Sequence, residues 1–113
     1  MIIKKFNDEI SDQIENGEFI VKDVDFIESR QRLNLTIVNE KRQSYMKLGV
    51  SNPEFNEKDF ELSNAIVTNC LVKDYHKVFN SQYFEIAYLE LQEKDSDKTT
   101  LISKSEVFAH DKY

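Results

Sequence analysis

Apolar residues recur every four positions at Phe6, Ile10 and Ile14 with polar neighbours between them, the single stripe of a short amphipathic helix. Asn7 or Asp8 can cap its start, and Asn16-Gly17 supplies a left-handed stop. From Glu18 the period shortens to two. Ile20, Val24 and Phe26 fall on one side of an extended segment; Leu33, Leu35 and Ile37 alternate with Arg32, Asn34 and Thr36; Met46, Leu48 and Val50 alternate in the same way. These patterns predict three antiparallel strands. The connections between them, Ser29-Arg30-Gln31 and Asn39-Glu40-Lys41-Arg42, are short and polar, as hairpins require.

The alternation lapses between Ser51 and Asp59, a stretch that holds Pro53 and reads as the longest loop. Past it, Ile66, Thr68, Cys70 and Val72 share one face of a strand while Ala65, Val67 and Leu71 take much of the other, so both faces are expected to be partly covered. Tyr83 to Glu93 alternates loosely but also contains good helix formers; we read it as strand. Glu93 to Lys98 is a polar turn, and Thr100 to Phe108 a last strand. The expected fold is α+β: a short N-terminal helix packed on a mainly antiparallel, meander-like sheet, with closure into a partial barrel left open. A chain of 113 residues makes this one domain, 1–113, large enough for a core without disulfide or metal staples. With only two glycines, Asn and Asp are expected to supply several of the left-handed turn angles.

Charge narrows the functional classes. Twenty-one acidic against fifteen basic residues give a net charge of −6, which argues against binding nucleic acid or an anionic membrane, since both need a basic face. A single Cys, Cys70, cannot form an internal disulfide and points to a reducing compartment. The N-terminal Met1-Ile2-Ile3-Lys4-Lys5-Phe6 lacks the apolar run of a signal peptide, and no stretch approaches a membrane span, so a cytoplasmic location is expected.

Candidate chemistry is sparse. Asp95, Asp97, Thr99, Ser103 and Glu106 match places 1, 3, 5, 9 and 12 of a calcium-binding loop, but Thr100 stands where the sharp turn needs Gly. Cys70 with His76 and His110 is the only thiol and imidazole set, without paired ligand spacing or a visible activator. Asp23 and Asp25 can lie roughly 7 Å apart on one strand face, Glu57, Asp59 and Glu61 cluster in the loop, and Glu90 and Glu93 form another pair. In so acidic a chain such pairs read first as solvated surface. There is no glycine-rich phosphate loop, no nucleophile elbow and no zinc-protease motif. No catalytic residue, metal ligand or cofactor is therefore expected.

The aromatics are more suggestive. Phe55 and Phe60 bracket an acidic loop, and Tyr75, Phe79, Tyr83 and Phe84 surround a turn at Asn80-Ser81-Gln82. Rings beside charges suit interface anchors, although they can equally seal a small core. The partner-binding candidates are Glu54, Phe55, Glu57, Asp59, Phe60 and Glu61.

The segments 19–26, Leu33-Asn34-Leu35-Thr36-Ile37, Leu48-Gly49-Val50-Ser51 and Asn64-Ala65-Ile66-Val67 follow a short helix in an order that resembles small β-rich bacterial immunity proteins of polymorphic toxin systems. Lys22-Asp23 stands where some of those families carry a His-Asp pair. The resemblance implies a non-enzymatic inhibitor that occludes a toxin. The alternatives are a phage-encoded inhibitor of a bacterial defence nuclease, acting by the same physics, and a small ligand-binding or enzymatic β domain. Strict DNA mimicry is disfavoured, because matching duplex charge along a 30 Å face takes about 18 aligned carboxylates. The chain has 21 acidic residues in all, interspersed with 15 basic ones. Neither the identity of the protein partner, toxin or nuclease, nor the oligomeric state is legible in the sequence.

Overall fold

In the computed structural model, which describes residues 2–51, 60–78 and 81–112, one helix packs on six antiparallel strands. They are α1 (Ile2–Glu15), β1 (Ile20–Ile27), β2 (Arg32–Asn39), β3 (Ser44–Ser51), β4 (Ile66–Val78), β5 (Ser81–Gln92) and β6 (Thr99–Lys112). The strands form a ring in the order β1-β2-β3-β6-β5-β4. Two three-strand meanders, β1-β2-β3 and β4-β5-β6, are thus joined by the pairing of β3 with β6, which runs from Ser44 opposite Lys112 to Val50 opposite Ser105. Among the described residues the ring closes on its other side at one pair, Ile20 opposite Ile66. Around that seam Val21 N donates to Ala65 O (2.8 Å), Asn64 N to Val21 O (2.9 Å) and Val67 N to Phe19 O (3.0 Å).

The helix starts earlier than its expected cap. Ile3 continues the stripe of Phe6, Ile10 and Ile14, so the period reaches back past Asn7 to the second residue. Asn7 lies inside the helix, and its Oδ1 accepts from Val72 N of β4 (3.3 Å). The expected stop holds: Gly17 has φ +67°, Gly17 N donates to Ile14 O and Glu18 N to Gln13 O, a Schellman closure. Phe6 and Ile10 are buried, and the Phe6 ring stacks on Phe84 of β5 with centroids 4.3 Å apart, so α1 covers one end of the ring. At the other end, where β4 begins, Phe60, Leu62 and Ala65 are buried.

β-bulges explain where strict alternation failed. An extra residue at Lys22 brings Val21 onto the core side, opposite Ile37, and turns Ile20 outward, so Ile20, Val24 and Phe26 do not share one side. Shifts between Val67 and Asn69 and between Leu71 and Val72 likewise put Val67, Cys70 and Val72 inside together while Thr68 leaves their face. The segment read ambiguously, Tyr83 to Glu93, is strand. The left-handed angles outside glycine fall on Gln31, Gln43, Asn64 and Asp95, so glutamine takes half of the positions expected for Asn and Asp. No helix of the described residues is long and apolar enough to cross a membrane.

Candidate functional site

Of the six residues expected to contact a partner, Glu54, Phe55, Glu57 and Asp59 lie outside the described residues. Phe60 is 5% exposed and belongs to the core, so this ring seals the sheet rather than standing free as an anchor. Glu61 is exposed, with its backbone N–H donating to Glu93 Oε2 (3.2 Å). The second aromatic set also divides. Tyr75 and Phe84 pack together toward the core, centroids 5.2 Å apart, whereas Tyr83 lies on the outer face; Phe79 lies outside the described residues. Ser81 and Gln82, placed in the turn by sequence, belong to β5 opposite Val78 and Lys77.

The largest exposed apolar feature on the first meander is one the alternation concealed. Val24 and Phe26 stand opposite Leu35 and Leu33, both buried, and so share the core-facing side, yet each is 39% exposed. The cause is the geometry of closure. Since β1 meets β4 only at Ile20, its remaining length, Asp23 to Ile27, pairs with β2 alone among the described residues. Asp23 and Asp25 share the opposite face and are exposed, as the sequence suggested.

A groove of about 680 Å³ runs between α1 and the β2–β3 hairpin, lined by Ile10, Phe19, Tyr45 and Met46 with Asp12 and Arg42 at its rim. Among its lining residues, Asp12, Gln13 and Arg42 are engaged with protein partners. Buried Asn39 donates from Nδ2 to Gln13 Oε1 (2.6 Å) and Glu18 Oε2 (3.1 Å), and its Oδ1 accepts from Arg42 N (3.1 Å). Arg42 pairs with Glu18 (3.0 Å) and Asp12 (3.3 Å). These bonds tie the helix end to the hairpin and leave few convergent groups for a ligand.

Of the residues with calcium-loop spacing, Asp95 and Asp97 sit in the β5–β6 turn, while Glu106 lies well along β6 opposite Glu85 and Gly49. Cys70 faces inward, and burial pushes its thiol up to about 12, which leaves it protonated and poorly nucleophilic. His76 lies on the other face, apart from Cys70. It has different neighbours. Asp74 and Glu85 are directly opposite on β4 and β5, His76 follows Asp74 by two on the same face, and His76 Nε2 lies 2.9 Å from Glu85 Oε2 and 3.7 Å from Asp74 Oδ2. Sequence reasoning missed this group because the hairpin was centred too late. Pairing Val78 with Ser81 gives Asp74 opposite Glu85 at once, and the signal was Asp-x-His with Glu at the mirrored spacing.

Comparison with known proteins finds no matching family model, no matching curated protein and no matching solved structure.

Proposed function

We propose that the protein is a non-enzymatic, immunity-type inhibitor that neutralises a protein partner by covering a basic surface on it. The observation that carries this reading is the edge of β1: Val24 and Phe26, 39% exposed, on a strand that meets only β2 beyond Ile20 among the described residues. An unpaired strand edge can take up an extended segment of a partner through its backbone groups, and a half-exposed ring beside it can enter a pocket as an anchor. Exposed Asp23 and Asp25 next to it, within a chain of net charge −6, would steer a cationic partner and raise the rate of encounter.

The test is co-expression with each protein encoded beside this chain's gene, scored for growth inhibition with and without this chain. The parent should restore growth and form a stoichiometric complex, Phe26→Asp should lose both while remaining folded by circular dichroism, and Asp23→Lys with Asp25→Lys should slow association and flatten its salt dependence. Absence of complex with the parent, or full rescue by Phe26→Asp, would overturn the reading.

A further inference from the structure

The outer face of β4 and β5 carries a group of side chains unrelated to the β1 edge. We propose that Asp74, His76 and Glu85 bind a divalent transition-metal ion of the zinc or manganese class.

Their three donor atoms all lie within 4.8 Å of one another, with His76 Nε2 at 2.9 Å from Glu85 Oε2 and 3.7 Å from Asp74 Oδ2. A metal with ligand bonds of about 2.1 Å holds neighbouring donors about 3.0 Å apart in an octahedron and about 3.4 Å apart in a tetrahedron. Small side-chain rotations thus suffice to place one ion among the three. The orientation of two of the donors is already set. Tyr75 N donates to Asp74 Oδ1 (2.8 Å), which leaves Oδ2 as the atom turned toward His76. The imidazole lies against the Tyr83 ring, centroids 5.0 Å apart and planes at 28°, and that contact restricts its rotation. The register that sets Asp74 opposite Glu85 runs without a shift from Val78 opposite Ser81, and the bulge between Val72 and Asp74 falls just beyond it.

Electrostatics point the same way. Asp74, Glu85 and Glu106 are successive neighbours across β4, β5 and β6, and like charges directly opposite on a sheet repel. Among the described residues no Lys or Arg forms an ion pair with any of them. A single Nε2 proton can bridge to Glu85, but Asp74 at 3.7 Å is beyond hydrogen-bond reach of it. An ion in place of that proton serves both carboxylates at once. The donor set selects its class: imidazole with two carboxylates suits zinc or manganese better than magnesium or calcium, which prefer all-oxygen shells. His76, Asp74 and Glu85 keep side-chain exposures of 35%, 54% and 34%, so the remaining coordination positions open to water.

Protein stripped with a chelator and titrated with zinc by calorimetry should bind one ion per chain. Glu85→Gln and His76→Gln should each weaken binding at least about tenfold, whereas Asp95→Asn with Asp97→Asn should change nothing. A readout free of any folding question uses manganese on a His110→Gln background, where His76 is the sole imidazole: its ring resonances and those of Tyr83 should broaden at substoichiometric ion. Absence of saturable binding, parental affinity in His76→Gln, or manganese broadening that spares His76 would overturn the proposal.

Discussion

Ile10 is 5% exposed on the inner side of α1 and belongs to the apolar core. Ile10→Asp should therefore cost about 3 kcal/mol or more through an unpaired buried charge, read as a lowered midpoint of urea unfolding. A midpoint equal to the parent's would mean that the helix does not pack as it is placed here. Cys70 offers a pH test with a defined sign. The folded thiol holds its proton up to about 12, against an ordinary value of 9.0, so between those limits unfolding releases a proton and stability falls as pH rises. Below pH 9.0 this contribution is fully present. Cys70→Ala should remove that part of the alkaline slope, visible as the difference between variant and parent thermal midpoints from pH 8.5 to 10.5. Alkylation of the folded protein at pH 8 should also run roughly a thousandfold slower than that of a free cysteine.

Among the elements, α1 depends on its stop as much as on its stripe. Gly17 has open space around it, the nearest atom to an added Cβ being Ile66 Cγ2 at 3.9 Å, so only its φ of +67° resists substitution. Gly17→Ala should cost about 1 to 2 kcal/mol from the left-handed backbone alone, again by urea unfolding. That stop was legible from Asn16-Gly17, as were the stripe of Phe6 and Ile10 and the strict alternation in β2 and β3, because a hairpin without bulges preserves the period of two. The bulged strands were not. One extra residue at Lys22 exchanges the faces of Ile20 and Val21, and nothing in Ile20-Val21-Lys22-Asp23 marks where the ladder will slip. The same limit hid Asp74, His76 and Glu85, whose proximity depends on hairpin register rather than on spacing along the chain. Phe60 could not be assigned from its neighbours either, since a ring beside Glu61 and Asp59 looks alike whether it caps the core or faces a partner.

At the scale of the whole molecule, a ring closed by one residue pair has a weakest line. The amides of Val21 and Val67 donate across the seam to Ala65 and Phe19, and they should exchange with solvent well before those of Leu35 and Leu48, which lie within the β1-β2-β3 meander. Equal protection at all four sites would show that the ring opens only by global unfolding. The strand order has a second effect, on synthesis. β6 comes last along the chain but lies between β3 and β5 in the ring, so it is the piece that joins the two meanders. A nascent chain that emerges from its N-terminus first, at roughly 5 to 20 residues per second, exposes an unpaired edge on β3 for roughly 3 to 12 seconds, and on β5 for roughly 1 to 4, before their common partner is complete. Until β6 appears, the β1-β2-β3 meander and the β4-β5 hairpin have only the seam between β1 and β4 to hold them together, and that interval is when a chaperone would be most needed.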